Sequence, residues 1–146
     1  MTLVEVLIVI AMVGTLAAIG IPAYNNYLDK VRNEQTIEDI RFIEAALKMY
    51  LTERGVLPDT LNQVAAAQRL DPWENPYSYY RIRGRSVKEI KDNTRKDHSQ
   101  HPINYDFDLY SMGKDGRSNL SITAHASRDD IIRANDGAFV GVASEY

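Results

Sequence analysis

Charge is absent from residues 6–28, VLIVIAMVGTLAAIGIPAYNNYL, and returns with Asp29, Lys30 and Arg32; beyond them polar and apolar positions mix as in an ordinary water-soluble chain. Within the uncharged run apolar residues occupy every side of a helix instead of one stripe, the pattern of a segment surrounded by lipid or buried all round. A helix over residues 6–24 is roughly 28 Å long at about 1.5 Å per residue, close to the ~30 Å hydrocarbon core of a bilayer. The segment is expected to cross a membrane; the alternative is a buried core helix of a soluble protein. A cleaved secretory signal carries basic residues ahead of its apolar stretch, and no Lys or Arg precedes Lys30. The segment is therefore expected to be retained.

The pattern then becomes one-sided. In residues 27–51, YLDKVRNEQTIEDIRFIEAALKMYL, there is no Gly or Pro, and Val31, Ile37, Ile40, Ile43, Leu47, Tyr50 and Leu51 recur at helical spacing with occasional gaps. The two halves predict one helix from about residue 2 to about residue 53, roughly 80 Å long. Its first half suits lipid and its second half suits packing on a globular head, with Gly55 and Pro58 as stop signals.

After them, PDTLNQVAAAQRL places Thr60 and Gln63 at capping-box spacing and predicts a short helix. Four short stretches rich in aromatic or β-branched residues predict strands of a small antiparallel sheet: residues 77–83, 103–110, 119–124 and 138–143. The fold class expected is α+β. Between the first two strands lies GRSVKEIKDNTRKDHSQHP, most simply a solvated loop.

Composition narrows this picture in a few places. At 146 residues with 45% hydrophobic content and a net charge of -3, the chain suffices for one compact unit plus an appendage. With no cysteine, a loop that needs restraint must obtain it from packing or from an ion. The mild acidity gives no reason to expect nucleic acid as a partner. Charge is nevertheless uneven: residues 81–97 hold seven Lys or Arg against three acids, and residues 106–145 hold seven acids against four bases. Those opposite signs could meet across neighbouring copies, or belong to a solvated loop beside an acidic site. His98 and His101 lack a third ligand nearby and read as surface histidines. No nucleophile-base order or phosphate-binding glycine loop is evident, so no catalytic site is expected.

Three features carry candidate chemistry. Glu5 sits near the start of the apolar run, where an unpaired charge is expensive and removal of one partner of a buried pair costs about 3 to 5 kcal/mol. Its alternative role is an interfacial carboxylate, hydrated by headgroups or stabilising the helix N-terminus. Gly14, Gly20 and Pro22 weaken the apolar helix, so a local break there is cheap, whether as a functional unwinding or as a tolerated kink. Towards the C-terminus, Ser111, Asp115, Asp129 and Asp130 offer hard oxygen ligands around Gly113 and Gly116, a composition that suits Ca²⁺. The alternative is that KDGRSN is a plain turn and SRDD a helix N-cap.

The opening MTLVEVLIVIAMVGTLAAIGIPAY resembles the mature N-terminus of type IV pilins and of the pseudopilins of type II secretion, with Thr-Leu after the first residue and Glu at the fifth. DPWENPYSYY, DLYSMGKDG and DDI are similar to segments of the major, G-type pseudopilin. The stretch from residue 115 to 129 and the basic insertion are longer than that resemblance leads one to expect.

The resemblance implies a pilin-like chain with a transmembrane and filament-core helix over residues 1–25 and a periplasmic head over residues 26–146. It implies a subunit that polymerises into a helical homo-oligomeric filament, the pseudopilus, through an inner-membrane assembly platform with minor pseudopilins. Secreted cargo or the outer-membrane secretin would be what it acts on. Met1 would be N-methylated by the prepilin peptidase, and the amine of Met1 on one chain would meet Glu5 of its neighbour. Gly14 and Pro22 would lie in the segment that unwinds on assembly. Calcium would be held by Ser111, Asp115 and Asp129 with backbone carbonyls such as that of Leu109. A short basic leader is expected to have preceded Met1; it would oppose Lys30 and Arg32 under the positive-inside rule and leave the head in the periplasm. Two alternatives stand beside this reading: a type IV pilus subunit serving adhesion, motility or DNA uptake, and a membrane-anchored enzyme or sensor. The absence of a C-terminal Cys pair, with DPWENPY and the acidic loop, favours the pseudopilin over the pilin.

Overall fold

The computed structural model describes residues 2–146. Met1, expected as the methylated residue and as the amine partner of Glu5, lies outside the described residues. Helix α1 spans Leu3–Arg54 and ends one residue before Gly55, where the stop signals lie. Gly14, Gly20 and Pro22 fall inside it without interrupting it. The weakened hydrogen bonding around Pro22 is thus carried by intact turns on either side, as apolar helices commonly tolerate. The chain divides into two units, Met1–Arg32 and Asn33–Tyr146. In the first, α1 contains an 18-residue window long and apolar enough to cross a membrane, none of it buried. Leu7, Ile10, Leu16 and Ile19 are among its exposed side chains.

The second unit is an antiparallel meander packed on the remainder of α1. Strands β1 (Ser78–Arg81), β2 (Phe107–Ser111), β3 (Ile131–Ala134) and β4 (Phe139–Val142) lie in sequence order. Tyr79 pairs with Leu109, Tyr110 with Ile132, and Ile132 with Gly141. Alternation along the strands sends side chains to two sides. Phe107, Leu109 and Ile131 join Ile40, Ile43 and Leu47 of α1 in the main core, with Leu57, Val64 and Tyr77. Ile132 and Ala134 join Ile103, Ile122 and Ala143 in a second cluster.

Two sequence expectations are corrected. Residues 119–124 form no strand; the chain makes a single parallel bridge there, Ser121 to Lys96, and turns. The third strand is instead IIRA, Ile131–Ala134, all four residues buried. A strand covered on both faces loses the alternation that marks a half-exposed one, and an arginine inside it disguises it further. The short helix after Pro58 is two 3₁₀ turns, Leu61–Gln63 and Ala65–Ala67. Thr60 makes no side-chain cap; Gln63 reaches back and accepts the Asp59 N–H at 2.7 Å.

The basic insertion is also more ordered than a solvated loop. Helix α2, Val87–Asn93, begins with a full capping box in which Ser86 and Glu89 satisfy each other's backbone N–H. Beyond it, Arg95 and Thr94 are buried. Arg95 donates to Asp130 at 2.7 Å and to Ser118, and its guanidinium lies 4.2 Å from the Tyr110 ring centroid.

Charge is buried beside the main core as well. Arg133 of β3 forks onto Asp106 with bonds of 2.8 and 2.7 Å, donates to Glu44 of α1 at 3.0 Å, and bonds the Phe107 carbonyl at 3.0 Å. Gly137 completes this site: its φ is +96°, and a Cβ there would run into the Glu44 carboxylate. On the other side of β2, Asp108 accepts from Arg95 N–H at 2.7 Å and from Asn104 Nδ2 at 2.9 Å.

Burial pushes the Asp108 carboxyl up from 3.8 to about 6, against the pull of its bonds from Asn104 and Arg95. A carboxyl with a raised folded pKa holds its proton longer in the folded state, so its contribution to stability falls as pH rises. The melting temperature of wild type minus that of Asp108→Asn should therefore fall between the unfolded value of 3.8 and about 6, then level off. A difference that rises over that interval would contradict the burial argument.

Candidate functional site

Two separate places hold the candidate residues. The first is the start of α1. Thr2 precedes the helix and Glu5 occupies its third position, the spacing of a capping box. Glu5 Oε2 accepts the Thr2 N–H at 2.6 Å and the Thr2 hydroxyl at 3.1 Å, while the Glu5 N–H donates to Thr2 Oγ1 at 3.3 Å. In a single chain the carboxylate is therefore turned back on its own helix end, where its charge also complements the helix dipole. A bond from Glu5 to a second chain would require those bonds to be shared or exchanged. Gly14 and Pro22 have exposed surroundings in the chain alone, and nothing lies within 4 Å of a Cβ built on Gly14.

The second place is the loop after β2. Ser111 is the last residue of that strand and is buried. Its hydroxyl donates to Asp71 Oδ2 at 2.6 Å and accepts the Gly113 N–H at 3.1 Å. Gly113 has φ +63°, and a Cβ there would fall against the Asp129 backbone carbonyl and carboxylate. Asp129 Oδ2 accepts the Asp115 N–H at 3.1 Å, and Asp115 Oδ1 accepts the Arg117 N–H at 2.7 Å. The fold thus brings Ser111, Asp115 and Asp129 into one loop cluster, 14 residues apart for the two aspartates. Leu109, two residues before Ser111, is paired with Tyr79 in the sheet, and its side chain is in the main core.

Neighbouring Asp130 turns the other way. It is fully buried and receives Arg95 and Ser118 at Oδ2, so its carboxylate serves the interior instead of the loop. Nor does Asp129 cap a helix; it comes after the 3₁₀ turn His125–Ser127.

The donor set is all oxygen and includes two carboxylates, which fits a hard cation better than a transition metal. Among the described residues no group of three or more His, Cys, Asp or Glu gathers as a metal cage. A cation held here would depend on the Ser111 hydroxyl and on backbone carbonyls for its remaining ligands. The close approach of Asp129 to Gly113, possible only without a Cβ, is what brings a carbonyl and a carboxylate to the same side of the loop.

Sequence reasoning missed Asp71. Its Oδ1 accepts the N–H groups of Trp73 at 3.0 Å and Asn75 at 2.8 Å, folding 71–75 into a closed turn. An Asp with unpaired amides two and four positions on is the local signal; its bond to Ser111, 40 residues away, has none. His98 and His101 are exposed, and His101 Nδ1 lies 3.8 Å from Asp97, in keeping with surface histidines.

No family model matches the chain. Among curated proteins it is 27% identical over 137 residues to the type II secretion system core protein G of Pseudomonas aeruginosa, covering 80% of this chain and 83% of that one. The core protein G of Aeromonas hydrophila is 32% identical over 97 residues, 52% of this chain and 68% of its own length. The type IV major pilin protein PilE1 of Neisseria gonorrhoeae is 33% identical over 90 residues, 62% of this chain but 45% of the pilin. The likeness to core protein G thus extends over most of both proteins, whereas that to the pilin leaves more than half of the pilin unmatched.

Proposed function

This chain belongs to the type IV pilin-like family and is most like its G-type pseudopilins, and from that premise we propose that it is a structural subunit that polymerises into the pseudopilus filament of a type II protein secretion system. The observation that carries the reading is an apolar window of α1 with none of it buried, in the same helix whose later turns pack on the head. Apolar side chains exposed at every azimuth are stable only in lipid or against other apolar helices. A membrane-held subunit that passes into a helical filament meets both conditions in turn.

The finer parts of the reading come from the family. The subunit is structural and not an enzyme, anchored in the inner membrane with its head in the periplasm. It is processed and N-methylated at Met1 by the prepilin peptidase, and assembles with minor pseudopilins on the inner-membrane platform. The filament works on secreted cargo or at the outer-membrane secretin. Deleting the gene should stop protein secretion, and overproduction should give filaments built of this chain. Loss of motility or DNA uptake with secretion intact would instead make it a pilus subunit, the reading favoured by the PilE1 likeness.

Calcium belongs to this proposal. When bound, the ion would supply positive charge between Asp115 and Asp129 and so tie the loop after β2 to the segment before β3; Ser111 and the carbonyls of Leu109 and Asp129 are further candidates. Ordering a loop costs about 1 to 2 kcal/mol per residue of backbone, and an ion bound only by the folded form offsets about 2.7 kcal/mol of that at a hundredfold its dissociation constant. For a domain of this size that is a rise of about 10 °C in melting temperature. The full chain in detergent should show that rise with calcium over chelator, and Asp129→Ala should remove it. Identical melts of wild type with and without calcium would leave these aspartates as turn residues.

A further inference from the structure

Asp71 is 4% exposed and lies on a different loop from the calcium ligands, yet it touches one of them. We propose that Asp71 is the positioning residue of the calcium site: it fixes the direction of the Ser111 hydroxyl proton, and through its turn couples ion binding to Trp73. The inference rests on the calcium reading above.

A serine hydroxyl has one proton to donate and two lone pairs. The Ser111 proton goes to Asp71 Oδ2 at 2.6 Å, and one lone pair takes the Gly113 N–H at 3.1 Å. That leaves one lone pair, with no proton to obstruct it, in a loop that also holds Asp115 and Asp129. A carboxylate is the side chain that guarantees this polarity, because an ionised Asp can only accept.

The other Asp71 oxygen is committed elsewhere. Its Oδ1 takes the Trp73 and Asn75 amides, so the carboxylate cannot rotate away from Ser111 without opening the 71–75 turn. A second contact joins the same two loops, since the Asn75 side-chain amide packs against Gly116, 3.5 Å from where a Cβ would stand.

Asp71→Asn is the decisive variant because it preserves shape and changes direction. Its amide oxygen would be kept by the Trp73 and Asn75 N–H groups. Its NH₂ would then face Ser111 and donate to it, consuming a lone pair and turning the serine proton into the loop. Outer-shell changes of this kind weaken metal affinity by about 10–100-fold.

The experiment is a titration of calcium chloride into the full-length chain in detergent micelles, monitored by calorimetry and by the emission of Trp73, the single tryptophan. Wild type should bind, with Trp73 emission changing at the same midpoint. Asp71→Asn, checked for folding by circular dichroism in chelator, should bind at least tenfold more weakly. In a Ser111→Ala background the same substitution should add less than twofold, because its effect passes through the serine; a general loss of structure would persist there. Wild-type affinity in Asp71→Asn, or an undiminished effect in Ser111→Ala, overturns the inference while the calcium site stands. Absence of calcium binding by wild type overturns the calcium reading and this inference with it. Should Asp71→Asn fail to fold, the wild-type spectrum decides: a Trp73 emission indifferent to saturating calcium would refute the coupling.

Discussion

Glu5→Gln is expected to insert into membranes as wild type does, to retain a capped α1, and to form no filaments. The oxygen acceptor and the charge of Glu5 are expected to do different jobs. As a cap, Glu5 uses an oxygen acceptor at the third helical position, facing Thr2. Glutamine serves that position in a capping box almost as well. As a partner for the α-amine of a neighbouring chain, Glu5 would use its charge, which glutamine lacks. A lone ammonium left in an apolar helix bundle costs about 3–5 kcal/mol per contact, and a filament repeats the contact at every subunit. Glu5→Ala should lose both jobs, fraying the first turn as well as abolishing assembly. Electron microscopy of sheared filaments, beside membrane fractionation and helix content, distinguishes the cases. Wild-type filament yield from Glu5→Gln would reduce Glu5 to a helix cap.

Arg133→Ala should be the most damaging single change in the head, costing about 3–5 kcal/mol of a domain stability on the order of 5–15 kcal/mol. The loss is not that of one surface ion pair. Arg133 is fully buried, and its removal takes the guanidinium from both the Glu44 and the Asp106 carboxylates. It also uncovers the Phe107 ring, over which the guanidinium sits at 4.0 Å. Urea denaturation of the full chain in detergent is the measurement. A loss under about 1 kcal/mol, the worth of an exposed ion pair, would mean that water or Lys48, which reaches Glu44 at 2.7 Å, compensates. Acid should reproduce part of the effect. Burial opposes ionisation of Asp106, but Arg133 and the Phe107 N–H outweigh it and hold its pKa below 3.8. A lowered folded pKa gives stability that is present above the unfolded value and lost as pH falls through the folded one, the opposite sense to Asp108.

The uncharged run, the one-sided helix after it and the stop near Gly55 were legible because each depends on local spacing and composition alone. So was the grouping of Ser111, Asp115 and Asp129, though only as a composition, since the 14-position separation of the aspartates is closed by a glycine contact that sequence does not display. The strands at 78–81 and 139–142 fell within stretches of aromatic and β-branched residues, and that at 107–111 ran one residue past its stretch, whereas Ile131–Ala134 did not announce itself. Its arginine finds its partner Glu44 89 positions earlier, a pairing that no local pattern displays.

Features that depend on neighbours along the chain follow from the sequence alone: an apolar helix long enough for a bilayer, an amphipathic continuation, a Glu near the start of the apolar run, and an acidic loop. Tertiary structure decided which charges are buried together, because Arg133 with Glu44 and Asp106, Arg95 with Asp130, and Asp71 with Ser111 are each joined across 26 or more residues of chain. A side chain's own sequence neighbourhood carries its propensity and its turn chemistry. Its partner, and so whether its charge is a cost or a contact, is fixed only when the sheet closes on α1.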